Sequence, residues 1–337
     1  MRNTAIRLCC VLLMPACLTT AGLNGQENPA PIAAELQAAA AWIRSPHHID
    51  RQHDYVVTGA LRLLLFWVSR DDVGQGYIRM CSDPGPRPSE AIQLLMGSDP
   101  GKAPMGINRW GAAAETRRSG ERSSAFFGFM KASKGESVSS VQEELSREGK
   151  TGQHMFEGII DASAGGRALS TSVPIVSDTD FTLHQLPDAQ QMVMEKLKFS
   201  SREPRILNLN TPAGCPEALG FLFTTRDLIE AILSGQKPPI VKCYVYHARR
   251  YTLTLRNCES MPTLKVGLKL RGASDKVERI YQDVKRADFR VVNTVTNRPT
   301  DFRIVFGASG EMKGVPVQIQ YQPSFWFRLT LNLNPGN

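Results

Sequence analysis

The sequence lacks the short motifs that mark the common classes of enzyme. Residues 97–103 (GSDPGKA) are not a phosphate-binding loop, because the glycines are one residue too close together and Ala103 stands where Ser or Thr would hold magnesium. The GxSxG elbow of serine hydrolases is also absent, since Asp161 takes the place of its first glycine. There is no HExxH or CxxC pair. The sequence therefore predicts no cofactor, and it favours a binding protein over an enzyme.

Runs of one charge sign are also missing. The chain has 40 Lys and Arg against 32 Asp and Glu, a formal charge of +8, and both signs are mixed along its length. Nucleic-acid-binding proteins usually concentrate their basic residues on one face or one helix. We therefore expect no nucleic-acid partner, and interpret the excess as a solvated basic surface or one that meets an anionic cell envelope.

The N-terminus carries the one apolar segment that is typical of a targeting sequence. Arg2 and Arg7 precede the apolar residues 8–18, which are too few to span a bilayer, since spanning needs about 20 residues. Small residues follow up to Ala21, as signal peptidase requires. Residues 1–21 are therefore predicted to be a signal peptide. The mature protein is expected in the periplasm or secreted, with no transmembrane span.

A lipid anchor at Cys17 is the alternative interpretation of the same segment. Residues 14–16 precede this cysteine as a lipoprotein-processing site would, but Pro15 is a poor residue there. Cleavage after Ala21 is therefore favoured over lipidation. Mass spectrometry of the exported protein distinguishes the two, because only the second leaves a diacylglyceryl group on the N-terminal cysteine.

Few cysteines remain after the predicted cleavage. Three of the seven lie in the signal peptide, which leaves Cys81, Cys215, Cys243 and Cys258. An even number in an exported chain permits two disulfides, with three connectivities. A hairpin over residues 242–258 would place Cys243 near Cys258 across the strands, so this pair is expected. Cys81 with Cys215 is then the pair that is left over.

Clusters of Gly, Pro and Ser divide the rest of the chain into segments. Residues 22–49 are predicted to form a linker and a short helix. Residues 50–236 mix β-rich segments with helical ones, which predicts an N-terminal mixed antiparallel β/α domain; its helices are expected at 138–148, 188–197, 216–223 and 225–233. Residues 238–337 consist of short β-rich segments at the spacing of consecutive antiparallel strands, which predicts an all-β meander. The fold class is thus expected to be α+β.

Two parts of the predicted meander carry a resemblance to known domains. Residues 244–253 (YVYHARRYTL) resemble the hairpin of exported bacterial half-barrel domains of unknown function, and residues 314–321 (GVPVQIQY) resemble their penultimate strand. The resemblance implies an up-and-down sheet curled on one side, as a half-barrel or sandwich. Upstream, RDDVGQGYIR and GSDPGKAPMGINRWG are similar to uncharacterised exported proteins of soil bacteria. Neither resemblance implies an activity or site residues.

Three aromatic residues near the C-terminus are the candidate ligand-binding residues. A curled antiparallel sheet can hold an apolar ligand between its concave face and a covering helix. Phe325, Trp326 and Phe327 could line such a face. The same three side chains would also serve as ordinary core residues.

His47, Asp50 and Asp54 are the candidate metal ligands. If Pro46 begins a helix, these residues lie on one helical face, at i, i+3 and i+7. An imidazole and two carboxylates could hold zinc or another divalent ion. A polar segment before the first strand explains the same residues without a metal.

The sequence as a whole predicts an exported binding or scaffolding protein of the cell envelope. Its partner would be an unknown envelope component or an apolar ligand on the β domain. The alternative is an extracellular hydrolase with its site in the α+β domain, which a pocket with converging His, Asp and Cys side chains would favour.

Overall fold

The computed structural model describes residues 48–63, 66–84, 88–99, 101–103, 108–118, 122–132, 154–164, 167–177, 205–209, 217–269, 275–324 and 327–334. These residues form fifteen strands, one α-helix (α1, Phe221–Leu233) and a 3-10 turn at Gly310–Met312. The strands are β1 (His48–Leu63), β2 (Phe66–Asp83), β3 (Ser89–Ser98), β4 (Asn108–Arg118), β5 (Arg122–Ala132), β6 (His154–Ala164), β7 (Arg167–Ser177), β8 (Arg205–Asn208), β9 (Glu217–Leu219), β10 (Ile240–Tyr246), β11 (Arg249–Lys269), β12 (Lys276–Asn293), β13 (Pro299–Gly307), β14 (Pro316–Ser324) and β15 (Phe327–Asn334).

All fifteen strands belong to one sheet. Each strand pairs with its neighbours in sequence, except that β8 and β9 lie at the two edges and β1 pairs with β15 in the middle. The pairs are antiparallel, apart from β9 with β10, which are parallel and are joined through α1. The sheet therefore has two halves, β1–β8 and β9–β15, which meet where the first and last strands pair.

The predicted α+β class is wrong, because the described residues are predominantly strand. The segment expected to be a β/α domain contributes β1–β8 to the same sheet as the predicted meander. The two helices expected within residues 216–233 are instead β9 followed by the single helix α1. Short apolar runs fit a buried strand or a buried helix equally well, which is why the sequence pattern misled here. The helices expected at 138–148 and 188–197 lie outside the described residues, and a domain boundary near residue 237 stays a prediction.

Residues 70–76 (RDDVGQG), whose Asp and Gly residues predict a turn, form part of a strand instead. β2 continues through these residues, and its pairing with β1 changes register between Val57 and Gly59. Asp72 has a φ of 53° and is 5% exposed. Asp and Gly tolerate positive φ in a β-bulge as well as in a turn, so the local composition does not distinguish the two.

The core lies between the two halves of the sheet. One apolar cluster joins Ala113 of β4 and Ala168 of β7 to the aromatic residues of β10–β13, with Leu228 and Ile232 of α1 among them. The sheet is therefore curled so that its two halves face each other, with α1 packed between them. A second cluster, which includes Tyr55, lies where β1 meets β13–β15. Each large apolar side chain buried in this way contributes about 1.5–3 kcal/mol.

Candidate functional site

The site is the interior of the curled sheet, where α1 is seated. Its sequence, FLFTTRDLIEAIL, buries Thr224, Leu228 and Ile232 at helical spacing, while Glu230 is exposed. The helix has 13 residues. Within the described part of the chain, no helix is long and apolar enough to cross a membrane. α1 is thus an amphipathic segment whose apolar face is covered by the inner face of the sheet.

A carboxylate from the opposite half of the sheet caps the N-terminus of α1. Oε1 of Glu115 accepts a hydrogen bond from the backbone N–H of Leu222 at 2.8 Å, and Oε2 accepts one from Phe223 at 3.0 Å. These N–H groups have no partner within the helix, and the positive end of the helix dipole favours an anion there. Gly220, with a φ of 88°, is required at the turn into α1, because a Cβ would lie 2.3 Å from Cδ of Glu115.

Burial opposes the charge on this cap. Glu115 is 1% exposed, and loss of solvation raises its pKa to about 7, although the hydrogen bonds from the helix act in the opposite direction. The nearby carboxylate of Asp161 raises the pKa of Glu115 further. The cap of α1 therefore changes its protonation state close to neutral pH.

A cluster of charged residues holds the solvent-facing side of α1 to both halves of the sheet. Arg226 and Arg117 donate to Glu90 at 2.7 Å and 3.2 Å. Asp227 lies 3.5 Å from the cationic groups of both Arg117 and Lys242. Glu90 and Arg117 belong to β3 and β4, whereas Lys242 belongs to β10. Because these groups are partly exposed, each pair is worth only about 0–1 kcal/mol.

Aromatic rings line the interior beneath α1. Phe221 meets Tyr244 and Phe302 edge-on, with ring centroids 5.8 Å and 5.5 Å apart. Phe302 stacks on Phe289 at 4.9 Å, and Tyr244 stacks on Tyr251 at 5.1 Å. Such pairs add about 0.5–1.5 kcal/mol each to the burial of the rings. Without α1, the sheet would expose a continuous apolar and aromatic surface here.

Asp161 of β6 and Ser170 of β7 meet His247, which lies in the turn between β10 and β11 of the other half of the sheet. Ser170 lies opposite Asp161 on the neighbouring strand, close enough for its hydroxyl to lower the pKa of the Asp161 carboxyl. Oγ of Ser170 is 2.9 Å from Nδ1 of His247, whose backbone N–H donates to Oδ2 of Asp161 at 2.7 Å. Burial raises the pKa of Asp161 to about 7 and lowers that of His247 to about 3.

The arrangement of these groups does not suit nucleophilic catalysis. Asp161 meets His247 through the backbone N–H and not through a ring nitrogen. In a hydrolytic triad the serine donates to histidine, and the carboxylate holds the other ring nitrogen. Ser170 is also 0% exposed, and a histidine with so low a pKa is a poor base. The three residues fix the His247 turn to the far half of the sheet.

The structure does not support the helical spacing on which the metal site was based. Asp50 and Asp54 lie on strand β1, where four residues span about 13 Å. Asp50 accepts from Ser82 at 2.8 Å, and Asp54 accepts from Gln52 at 2.8 Å. Among the described residues, no group of three potential metal ligands is found. His47 lies outside them.

Of the three predicted ligand-binding aromatics, the structure describes one. Phe327 begins β15 opposite Leu61 and packs, partly buried, against the second core cluster. Phe325 and Trp326 lie outside the described residues. Binding of a ligand by these residues stays a prediction, and the larger aromatic group is the one beneath α1.

Both expected disulfide pairings are wrong, because Cys81 and Cys258 are free thiols. The turn between β10 and β11 falls at His247, so Cys243 faces Thr252 rather than Cys258. Cys258 lies opposite Ala287 of β12, and burial raises the pKa of its thiol. Cys215 lies outside the described residues.

Sequence reasoning missed Glu115, Asp161 and Ser170. Their one local signal is a single acid in an apolar strand: Glu115 follows three alanines in the segment GAAAETRR. An acid buried on a strand needs a partner from elsewhere. The partner, the start of α1, is more than 100 residues away, so no pattern within the segment identifies it.

No family model and no curated protein matches the sequence. Two solved structures are similar in part. One is a β-barrel-like protein of a domain of unknown function, DUF1849, from Brucella abortus, with 11% identity, a TM-score of 0.41, and coverage of 86% of this chain and 97% of that one. The other is a predicted lipoprotein from Parabacteroides distasonis, with 9% identity, a TM-score of 0.26, and coverage of 85% and 95%.

Proposed function

We propose that this protein is a non-catalytic binding protein of the cell envelope that holds an apolar ligand in the interior occupied by α1. The observation that supports the proposal is the way α1 packs against the sheet. Its apolar face covers an aromatic surface, but its N-terminal cap comes from the opposite half of the sheet, by a single side chain. A ligand that takes the place of α1 would cover the same apolar surface.

The connections of α1 allow such a displacement. Gly220 precedes the helix and Gly235 follows it, and both have positive φ, at 88° and 92°. Glycine changes its backbone angles at little cost, so both positions can serve as hinges. Moving α1 then uncovers apolar area, at about 25 cal/mol per Å², and breaks the two hydrogen bonds of the Glu115 cap. An apolar ligand would recover that area.

The proposed compartment is the periplasm or the cell exterior. Residues 1–21 are outside the described residues, and their sequence is what supports export. Cell fractionation with intact-mass measurement tests this proposal. A cytosolic full-length chain would contradict it, and a diacylglyceryl Cys17 would replace signal cleavage at Ala21 by a lipid anchor.

A covalent lock on α1 tests the binding proposal. In a variant lacking the free thiols (Cys81→Ala, Cys258→Ala), Asp227→Cys and Lys242→Cys would be bridged by a short bismaleimide, replacing an ion pair of 3.5 Å. Binding is followed by the fluorescence of 1-N-phenylnaphthylamine, an uncharged apolar dye. We expect the lock to weaken binding at least tenfold.

The matched control applies the same crosslink away from α1. Lys265→Cys and Glu278→Cys replace an exposed pair of 3.6 Å between β11 and β12. This control should bind the dye as the uncrosslinked protein does. Equal binding by the locked and control proteins would show that α1 need not move, and no binding by the uncrosslinked protein would remove the proposal.

A further inference from the structure

A recess lies on β11–β15. It has a volume of ≈ 500 Å³, and it is lined by charged and amide residues together with Phe289, Phe302 and Tyr321. Successive side chains of a strand point to opposite faces. Phe289 and Phe302 belong to the buried core, so their neighbours Asp288 and Arg303 point away from it, into the recess. We call this recess the outer groove.

The carboxylates of the outer groove are neutralised within it. Arg303 donates to Asp288 at 2.6 Å. Arg290 donates two hydrogen bonds of 2.7 Å to Asp301, and these lower the pKa of Asp301. Nη1 of Arg256 lies 3.9 Å from Oδ2 of Asp301, and the Arg256 side chain is about half exposed. The groove therefore carries an excess of positive charge.

Arg328, at the other end of the outer groove, is held in place with one of its donors unpaired. Its guanidinium lies over the ring of Trp67, 4.8 Å from the centroid. Its Nε is buried and has no hydrogen-bond partner. A buried donor without a partner is unfavourable. The stacking fixes the plane of the guanidinium group. Its N–H donors are therefore already oriented for an acceptor on a ligand.

Amide side chains of β14 and β15 lie near these arginines. Gln320 donates to Gln318 at 2.8 Å, and Gln318 donates to Asn332 at 2.9 Å. This chain of hydrogen bonds leaves the carbonyl oxygen of Gln320, which lines the outer groove, able to accept from a ligand. Amide oxygens suit hydroxyl donors, and guanidinium forks suit carboxylates.

We propose that the outer groove binds an acidic saccharide. Arg256 and Arg328 bind its carboxylates, and Gln320 with the remaining oxygens of Asp288 accepts from its hydroxyls. Strands are about 4.8 Å apart, so β11 and β15 place the two arginines about 19 Å apart across the sheet. A ligand that reaches both is an elongated chain rather than a single sugar. The groove is on the face opposite the interior, so this inference does not depend on the apolar-ligand proposal.

Calorimetric titration of the full chain tests this inference at low salt. The probes are tetragalacturonate and tetramannuronate, each compared with its methyl ester, which keeps the hydroxyls but loses the negative charge. We expect at least one acid to bind, its ester to bind at least tenfold more weakly, and higher salt to weaken the interaction. Absence of binding by both acids, or equal binding of acid and ester, would overturn the inference.

Two variants then locate the site. Arg328→Gln and Arg256→Gln should each weaken binding of the acid about tenfold or more, since a hydrogen bond to a charged group is worth about 1.5–3 kcal/mol. Arg279→Gln, an exposed arginine of β12 that does not line the groove, is the matched control. An equal loss in all three variants would show binding through net charge alone and would overturn the assignment. Unchanged thermal unfolding confirms that the variants fold.

Discussion

Oε1 of Glu115 on β4 accepts a hydrogen bond at 2.8 Å from the backbone N–H of Leu222 in α1, although 107 positions separate the two residues. This buried side chain joins the helix to the opposite half of the sheet, in addition to the partly exposed ion pairs of Glu90 and Arg117. The contact is inside the protein, where an unpaired carboxylate or N–H would be costly. The position of α1 therefore depends on Glu115. Access to the interior depends on it as well.

At pH 4, Glu115→Gln should destabilise the protein more than any change in the exposed charged cluster. Glu115 is then protonated in the folded protein, and its hydroxyl can turn its hydrogen away from the helix, whereas the amide always turns an N–H toward a helix N–H and loses one hydrogen bond. We expect a loss of about 1–3 kcal/mol in the free energy of unfolding in urea. Above neutral pH this loss should shrink or reverse, because the amide avoids burying a charge. Glu90→Gln, which removes partly exposed ion pairs, should cost no more than about 1 kcal/mol at pH 4. Equal losses at pH 4 would contradict the importance given to the cap.

The two buried carboxylates should make stability fall as pH rises toward neutrality. On folding, the pKa values of Glu115 and Asp161 rise from 4.5 and 3.8 to about 7. Between these lower values and pH 7, the folded state therefore binds more protons than the unfolded state. Each group then lowers the unfolding free energy by about 1.4 kcal/mol per pH unit over that window. His247, whose pKa falls from 6.5 to about 3, acts in the opposite direction over most of the same range.

Comparison of variants isolates this effect. His247 opposes the two carboxylates, and His53, whose pKa burial also lowers, opposes them more weakly. The wild-type protein should lose stability between about pH 4.5 and 7. The double variant Glu115→Gln, Asp161→Asn retains only the two histidines and should gain stability over the same interval. Urea unfolding at half-unit steps of pH measures both slopes. Parallel pH profiles for the two proteins would mean that neither carboxylate titrates as described.

Cys243 should be found in a disulfide with Cys215. Cys243 is disulfide-bonded, whereas Cys81 and Cys258 are free. In the parallel pair of β9 and β10, Glu217 lies opposite Cys243, and Cys215 precedes Glu217 by two residues. Alkylation in denaturant without reductant should label only Cys81 and Cys258 among these four, and peptide mapping should link the other two. A peptide that links Cys243 to Cys258 would contradict the strand register.

Phe302→Ala should both destabilise the protein and open the interior. The ring stacks on Phe289 and contacts Phe221 of α1, so its loss leaves a cavity under the helix. Truncations of this kind cost about 3–5 kcal/mol. Val295→Ala, at a side chain that is 71% exposed, should change the free energy of unfolding by less than about 0.5 kcal/mol. If the two variants unfold alike, α1 does not pack on Phe302 in solution.

The strands could be predicted from the sequence where alternation is local. Tyr251, Leu253 and Leu255 are buried as expected, with Thr252 and Thr254 between them on the other face. What could not be predicted is which strand lies beside which. The pairing of β1 with β15 and the capping of α1 by Glu115 join residues far apart in sequence, and no local pattern encodes them. The pairing of Cys243 with Cys258 failed for the same reason, since it depended on a register, and the pairing of Cys81 with Cys215, assigned by elimination, failed with it.

The most direct test of the proposed movement of α1 is hydrogen–deuterium exchange with and without 1-N-phenylnaphthylamine at saturation. Ligands usually slow exchange around their site, but a ligand that displaces α1 must expose its amides. We predict faster exchange across Phe221–Leu233, first at Leu222 and Phe223, with β10 and β11 unchanged. Exchange of α1 that is equal or slower when the dye is bound would contradict the account.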